Sequence, residues 1–174
     1  MTQADSPKLH DVTVYYLEML SRPELSLEPP RDGLTVIHAV NPSVPYYRFL
    51  YNAVGENYRW LSRRKLSDEE LTEIIHDPLD DVLVLHLDGT PIGFAEICRR
   101  EPANIELVQF GLMPDWHGQG IGSWFLRWVI DKIWQGSPQR FWLHTCTFDH
   151  PAALAMYQKA GFVLYDEKQI QREY

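Results

Sequence analysis

Three glycines within five residues, in the stretch WHGQGIGSWF (residues 116–125), constrain this chain more than any other feature. Glycine is a poor helix former, yet the apolar run that follows Gly122 has helical spacing, so each glycine must be needed for the side chain it lacks. A strand precedes them, and the start of a helix offers backbone N–H groups without intrahelical partners at its positive end. Such a turn is typical of a pyrophosphate site. The alternative is a turn that serves close packing only.

Two common nucleotide-binding motifs do not fit this stretch. A P-loop requires G-x-x-x-x-G-K-[ST], and no Lys-Ser or Lys-Thr pair follows these glycines. The dinucleotide fingerprint G-x-G-x-x-G needs a third glycine where the chain has Ser123. The stretch also lies two-thirds of the way along the chain, which leaves no room for a full doubly wound domain. Both nucleotide interpretations are therefore excluded.

Length and composition indicate one globular domain over residues 1–174, with 45% hydrophobic and 23% charged residues. No window approaches the roughly 18 apolar residues of a membrane span, and the polar N-terminus MTQADSPKLHD lacks the apolar core of a signal peptide. We therefore expect a cytoplasmic protein without a membrane partner. A net charge of −8 argues against a nucleic-acid partner and favours a cationic acceptor by steering. Cys98 and Cys146 are expected to be buried free thiols.

Apolar periodicity predicts the element order ββααβββαβαβ. Ser67 and Glu70 have capping-box spacing at the start of the second helix, a tight turn at Asp88-Gly89 joins two strands, and the glycine-rich stretch leads into a helix over Ser123–Gln135. The crossover through residues 105–147 should be parallel. This order predicts an α/β (α+β) fold, with a mixed, mostly antiparallel central sheet flanked by helices on both faces.

Two blocks in this chain resemble the GNAT superfamily of acyl-CoA-dependent N-acyltransferases. The first, LMPDWHGQGIGSWF, is similar to the family's apolar-x-Pro strand end followed by Arg/Gln-x-x-Gly-x-Gly/Ala at a helix N-terminus, with His117 in place of Arg or Gln. The second, HPAALAMYQKAGF, resembles Asn-x-x-Ala-x-x-x-Tyr-x-x-x-Gly-Phe, with His150 in place of the asparagine. It matches at Ala153, Tyr157, Gly161 and Phe162. The resemblance is strong over residues 90–165 and only topological before that.

The resemblance implies a GNAT-like fold, acetyl-CoA as co-substrate, no metal, and transfer of the acetyl group to a primary amine of a small molecule or peptide. It divides the chain into an acyl-CoA motif at 105–135, a second motif at 150–162 and a variable acceptor-side region at about 41–78. Protein lysine or N-terminal acetylation is the alternative within the enzyme class. A non-catalytic acyl-CoA-binding sensor is the alternative outside it, consistent with the two histidine departures. Exposed tryptophans would suit a homodimer interface.

The resemblance also assigns the cofactor contacts. The amide of Leu112 or Met113 would polarise the thioester, the loop amides would hold the pyrophosphate, and position 150 would contact the pantetheine arm. The resulting set is Leu112, Met113, His117, Gly118, Gln119, Gly120, Ile121, Gly122, Ser123 and His150.

Candidate proton-transfer groups come from two sources. Glu106 and Glu96 are carboxylates embedded in apolar strands, where burial raises a carboxyl pKa towards the range of a useful base. We favour Glu106, acting through water; the alternative is that either one faces solvent or pairs with Arg99 or Arg100. Tyr157, by resemblance, would donate a proton to the leaving sulfur, and its alternative role is packing against the sheet.

The stretch HTCTFDHP contains residues that could suggest a metal or a Cys-His pair. Strand alternation puts His144 and Cys146 on one face, and no zinc spacing is present. Asp149 and His150 are expected to cap the next helix, with Pro151 at its first position.

Aromatic and basic clusters in the N-terminal half each have two interpretations. The aromatic residues either wall an acceptor pocket and grip a cation or pack in the core; they are Tyr46, Tyr47, Tyr51, Tyr58 and Trp60. The basic residues form either a solvated face or a contact to coenzyme A phosphates; they are Arg59, Arg63, Arg64 and Lys65.

Overall fold

The computed structural model describes residues 9–173. The N-terminal segment through residue 8, part of the stretch from which a cytoplasmic location is predicted, lies outside the described residues. The elements run, in chain order, β1 (Leu9–Met19), β2 (Leu34–His38), α1 (Val44–Gly55), α2 (Asp68–Ile75), β3 (Asp80–Leu87), β4 (Thr90–Cys98), β5 (Asn104–Leu112), α3 (Ile121–Trp134), β6 (Arg140–Cys146), α4 (Ala153–Lys159) and β7 (Val163–Glu173).

The strands form one seven-stranded sheet in the order β2-β3-β4-β5-β6-β1-β7. Every neighbouring pair is antiparallel except β5 and β6, which the α3 crossover joins in parallel. The element order and the parallel crossover are as predicted. The first strand, however, does not pair with the second: β1 lies between β6 and β7, five positions away from β2.

The centre of the sheet is split. Strands β5 and β6 pair only from Asn104–Leu107 to Arg140–Leu143, although both continue beyond these residues. A bulge on β5 leaves Val108 without a partner on β4, because Glu96 faces Gln109 and Ile97 faces Leu107. The two strands therefore diverge towards their carboxyl ends, which leaves a gap in the middle of the sheet.

Helices cover both faces of the sheet, as predicted. On the α1/α2 face, buried residues of the two helices pack against Val82, Val84 and Phe94. On the α3/α4 face, a larger cluster joins residues of α3 and α4 to the other side of the strands, including Phe110 of β5 and Leu143 of β6. Alternation along each strand then fixes which side chains point to which face.

Local signals set the helix starts. Ser67 and Glu70 form the predicted capping box, with the Ser67 hydroxyl accepting from the Glu70 N–H and the Glu70 carboxylate accepting from the Ser67 N–H. Helix α3 begins at Ile121, two residues earlier than predicted, because Gly120 takes the N-cap position in a left-handed conformation.

Several predicted surface properties are corrected. None of the six tryptophans is exposed: two are buried and four are half-buried, so they do not supply the surface on which a homodimer was predicted. Cys98 and Cys146 are free, and both are half-buried rather than buried.

Between residues 9 and 173, no helix is both long and apolar enough to cross a membrane. In the same range, no three His, Cys, Asp or Glu side chains are placed to hold a metal ion.

Candidate active site

A cavity of about 870 Å³ occupies the gap between β5 and β6. Its α3/α4 side is lined by the glycine-rich loop, by Phe110 and Leu112 of β5 and by residues of α4. Its α1/α2 side is lined by the segment 58–65 and by His144 and Cys146 of β6. The cavity therefore runs through the sheet from one face to the other.

At one end of this cavity, the glycine-rich loop lines the wall with backbone groups that no side chain of the loop glycines covers. Gly118 and Gly120 have φ of +74° and +77°, a conformation that other residues adopt only with strain. A Cβ at Gly118 would meet no atom within 4 Å, so the backbone there is open to a ligand. The first bond within α3 runs from the N–H of Trp124 to the carbonyl of Gly120 at 3.1 Å. The preceding N–H groups, at residues 121–123, have no partner within the helix.

His117 ties this loop to the end of β5. Its Nε2 lies 2.9 Å from the carbonyl oxygen of Leu112, so Nε2 carries the proton and donates. The His117 ring stacks on Tyr58 at 6.5 Å and meets the His150 ring edge-on at 5.0 Å. The two positions that depart from the family pattern are thus in contact with each other, and both line the cavity.

The backbone N–H groups of Leu112 and Met113, at the end of β5, point to opposite sides of the strand. The Met113 N–H donates to the Ile92 carbonyl on the β4 side at 2.8 Å, so it is not available to a thioester. Successive N–H groups of a strand alternate between its two neighbours, and that of Leu112 consequently faces the gap. Of the two amides proposed from the sequence, Leu112 is the one directed into the cavity.

The remaining loop residues contribute backbone rather than side chains. Ile121 is fully buried, and its side chain belongs to the α3/α4 core. The Gln119 side chain donates from Nε2 to the carbonyl of Asp115 at 3.2 Å. Gly122 and Ser123 line the cavity.

Tyr157 of α4 lies at the cavity wall, packed edge-on against Phe110 and Phe162. The side chain is 7% exposed, and burial raises the pKa of its phenol well above the usual range, with the charge of Asp149 adding to the effect. Among residues 9–173, no protein group hydrogen-bonds its hydroxyl. The phenol therefore stays protonated at neutral pH.

Glu106 lies behind the cavity rather than on its wall. It projects from β5 on the α1/α2 face, where its Oε1 is 3.7 Å from Nδ1 of His144 on β6. His144 lines the cavity and its side chain is 39% exposed. As predicted, His144 and Cys146 share one face of β6, because Leu143, the residue before His144, belongs to the α3/α4 core on the other face.

Glu96 is fully buried and does not line the cavity. Its carboxylate accepts hydrogen bonds from the Tyr47 hydroxyl and forms an ion pair with Arg63. Burial alone would lower the pKa of the Arg63 guanidinium, but the hydrogen bonds and charge of Glu96 outweigh it and hold that pKa above its usual range. Glu96 and Glu106 therefore share a face but not a cleft, and Glu96 is placed to fix Arg63.

Arg99 and Arg100, the alternative partners considered for Glu96 and Glu106, bond other residues. Arg99 forms a two-pronged ion pair with Asp81, with distances of 2.7 and 2.9 Å. Arg100 bonds Asp77 at 3.0 Å and approaches Asp80 at 3.4 Å.

Asp149 does not cap α4 as predicted; Ala152 is the N-cap, and its own side chain makes no capping hydrogen bond. Asp149 Oδ2 accepts from the Thr145 hydroxyl at 2.6 Å and from the Cys146 N–H at 2.9 Å. Its Oδ1 accepts from the indole of Trp60 at 3.1 Å. Asp149 therefore joins the β6–α4 corner to the acceptor-side segment. His150 Nδ1 accepts from the Ala152 N–H at 3.1 Å, within the turn before the helix.

The aromatic and basic clusters divide between core and cavity. Tyr47 and Tyr51 are buried in the α1/α2 core, and Tyr51 also reaches the cavity wall. Tyr58 and Trp60 line the cavity. Among the basic residues, Arg63 is not on a solvated face, while Arg64 is bonded to Asn52 at 2.7 Å.

Sequence reasoning passed over three cavity residues. The sequence offers His144 for a metal or a Cys-His pair but not as a base, although its alternation with Leu143 already puts it opposite the α3/α4 core. Asp149 was read as a helix cap because it precedes Pro151. Arg172, near the end of β7, had no local signal at all, since only the pairing of β7 with β1 brings it to the cavity.

Comparisons with known proteins agree with this geometry. The sequence profile of the Acetyltransferase (GNAT) family matches residues 47–162. Proteins named as uncharacterized N-acetyltransferases of Mycobacterium bovis and Mycobacterium tuberculosis are 28% identical over 97 residues, which cover 56% of this chain and 62% of theirs. The match thus spans less than two-thirds of the length of these relatives.

Two solved structures illustrate the shared fold. A GCN5-related N-acetyltransferase from Sphaerobacter thermophilus superposes with a TM-score of 0.62 at 19% identity, covering 97% of this chain and 52% of that one. An aminoglycoside acetyltransferase from an uncultured soil sample, in complex with sisomicin, gives a TM-score of 0.60 at 12% identity, covering 75% of this chain and 88% of that one.

Proposed function

Because this chain belongs to the GNAT family of acetyltransferases, we propose that it transfers an acetyl group from acetyl-CoA to a primary amine of a small molecule or peptide. The observation that carries the proposal is the gap between β5 and β6, which meets the N-terminus of α3 at the glycine-rich loop. A gap of this kind accepts an extended thioester arm, and the helix end accepts a diphosphate.

The residues of the loop fit a diphosphate. Gly118 and Gly120 hold positive φ, and the space where a side chain would stand at Gly118 is open. No side chain caps α3, so its N–H groups at residues 121–123 keep their hydrogens for a ligand. These groups would bind the diphosphate, while Leu112, His150 and Tyr157 would flank the arm that leads to the thioester.

Acetyl-CoA, when bound, would supply the acetyl group, with a new N–C bond to the amine forming as the C–S bond breaks. The N–H of Leu112 faces the gap and would stabilise negative charge on the carbonyl oxygen. Tyr157 keeps its proton because its pKa is raised, and it would give that proton to the departing sulfur.

The amine must lose a proton to attack. His144 is the exposed imidazole on the acceptor side of the cavity, with Glu106 3.7 Å behind its Nδ1. A carboxylate on Nδ1 orients the ring and leaves Nε2 to accept the proton. We assign His144 as the base and Glu106 as its positioning residue. Glu96, fully buried against Arg63, has a structural role.

A pair of glycine variants tests the cofactor site. Gly118→Ala places a methyl group on the loop, and Gly89→Ala does the same in the β3–β4 turn; both glycines have positive φ and open space around a Cβ. Both changes carry the same backbone strain of roughly 1–2 kcal/mol. Titration calorimetry should show acetyl-CoA binding weakened about tenfold or more by Gly118→Ala, and unchanged by Gly89→Ala.

Thermal unfolding of both variants checks that the strain is matched. Equal acetyl-CoA affinity in the two variants, or no affinity in the native protein, would remove the basis of the proposed function.

A further inference from the structure

One side chain of α1 occupies a space that the end of β5 leaves empty. A Cβ at Gly111 would stand 2.5 Å from Cγ1 of Val54. Two carbon atoms that are not bonded need about 3.5 Å or more, so a methyl group of Val54 fills the place of a side chain at residue 111. Val54 is buried and lines the cavity. It therefore forms the cavity wall beside the backbone of Gly111.

Tyr51 stands one turn before Val54 on α1 and continues the same wall. It is buried, it lines the cavity, and its hydroxyl lies 3.1 Å from the hydroxyl of Ser62. Trp60 packs against the end of α1, with its Cδ2 2.5 Å from the place where Gly55 would carry a Cβ. Tyr51 and Val54, which we call the apolar wall, therefore cannot shift aside without breaking close-packed contacts.

The proposed reaction brings the acyl group to this wall. The Leu112 nitrogen is bonded to the carbonyl carbon of Gly111, so an acyl oxygen held by the Leu112 N–H lies beside Gly111. The sulfur would lie towards Tyr157, which belongs to the α3/α4 core. The acyl carbon is trigonal, so its third substituent, the acyl chain, points away from both the oxygen and the sulfur. That direction leads out of the gap on the α1/α2 side, where the apolar wall stands.

We propose that Val54 restricts the acyl group to acetyl and that the apolar wall excludes longer chains such as butyryl. The methyl group of acetyl ends at the wall, whereas each further methylene would have to displace side chains that are already in contact. The inference rests on the proposed acetyl transfer and adds the acyl-group specificity to it.

Titration calorimetry with coenzyme A, acetyl-CoA and butyryl-CoA tests the inference without an acceptor, because the three ligands differ only in the acyl group. The native protein should bind acetyl-CoA about tenfold or more tightly than butyryl-CoA, as expected of an apolar pocket that rejects added methylenes. Val54→Ala removes two methyl groups from the wall. It should bring the two affinities to within about threefold of each other.

Val84→Ala is the matched control. Val84 is fully buried in the same α1/α2 core and does not line the cavity, so this variant loses the same two methyl groups elsewhere. It should keep the native preference for acetyl-CoA. Thermal unfolding shows that both variants are folded.

A second substitution returns the lost volume from the opposite side of the contact. A Cβ at residue 111 lies 4.0 Å from the Cβ of residue 54 and 3.8 Å from Cη2 of Trp60, and both are ordinary contact distances. Once Val54→Ala has removed Cγ1, the double variant Val54→Ala/Gly111→Ala should therefore fold. It should also regain the preference for acetyl-CoA, which a general loosening of the core would not allow.

The outcomes separate this inference from the proposed function. Equal affinity of the native protein for acetyl-CoA and butyryl-CoA would overturn the inference, as would the same change in Val84→Ala as in Val54→Ala. A folded double variant without the regained preference would overturn it as well. In each of these cases coenzyme A still binds and the proposed function stands. Lack of binding of coenzyme A and both thioesters would contradict the proposed function itself.

Discussion

Glu106 lies in the part of β5 that pairs with β6, and His144 is the first residue of β6 beyond that pairing, at the edge of the gap. The imidazole reaches the cavity and the carboxylate stays behind it, so the two side chains have unequal access to an acceptor. A group that contacts the acceptor should affect the rate more than one that orients it.

This difference in access leads to a prediction about two variants. His144→Gln should lower kcat about 100-fold or more, in the range of a lost general base. Glu106→Gln should lower it less, because the imidazole is still present but less well oriented. Steady-state kinetics at fixed pH measure both effects. The reverse order would mean that Glu106 itself takes the proton through water, as the sequence first suggested.

The predicted site residues that line the cavity include those in local sequence motifs. The glycines and Tyr157 lie in local motifs, and each lines the cavity. The burial of Glu96 against Arg63 has no signal near Glu96 in the sequence, because Arg63 lies in a turn 33 residues earlier. Periodicity predicts the face of the strand on which a side chain lies. It does not predict which residues from distant parts of the chain pack or bond against that side chain.

At the scale of elements, the segment between α1 and α2 forms one wall of the cavity, and Trp60 joins it to the sheet and to the β6–α4 corner. Trp60 packs on Tyr51 at 5.4 Å and on Phe94 at 6.3 Å, and its indole N–H bonds Asp149 across the cavity. This hydrogen bond joins the segment between α1 and α2 to the turn that precedes α4, the helix that contains Tyr157.

Trp60→Phe should loosen this wall without emptying the core, because phenylalanine keeps a ring but loses the indole donor. We expect KM for the acceptor to rise about threefold to tenfold, the equivalent of one hydrogen bond, with acetyl-CoA affinity unchanged. Steady-state kinetics and calorimetry give the two values. Trp134→Phe is the matched control, since its indole bonds Met19 far from the cavity. A similar change in both variants would argue against a link through Asp149.

The order of elements was predictable because each strand and helix carries its own period and its own turn signals. The position of β1 was not. Leu17 and Met19 would suit any core-facing place in the sheet, and only the complete set of strands selects the slot between β6 and β7.

For the whole molecule, buried Asp80 on the α1/α2 face leads to a prediction about how stability depends on pH. Asp80 is 5% exposed, and its Oδ1 has no hydrogen-bond partner among the described residues. Burial, with the charge of Glu96 added, raises the pKa of Asp80 from 3.8 to about 7.

The unfolded chain ionises Asp80 near pH 4, whereas the folded protein holds that proton up to about pH 7. Between these values the folded state binds the extra proton, so the free energy of unfolding contributed by this group falls as pH rises and levels off above the folded pKa. Asp80→Asn mimics the protonated form. It should raise stability at pH 8, by on the order of a few kcal/mol at most, and change it little at pH 4.

Denaturant unfolding at pH 4, 6 and 8 measures this effect. The exposed Asp32→Asn serves as the control and should leave the pH profile as it is. A profile for Asp80→Asn parallel to that of the native protein would contradict the assignment.

The passage through the sheet has a consequence for the order of events in a catalytic cycle. Coenzyme and acceptor would occupy opposite sides of one opening, so neither has to depart before the other can arrive. Reloading on one side can overlap with product release on the other, and an excess of one reactant should not block the other. The divided sheet therefore favours a ternary complex reached by either route over an obligatory sequence of binding steps.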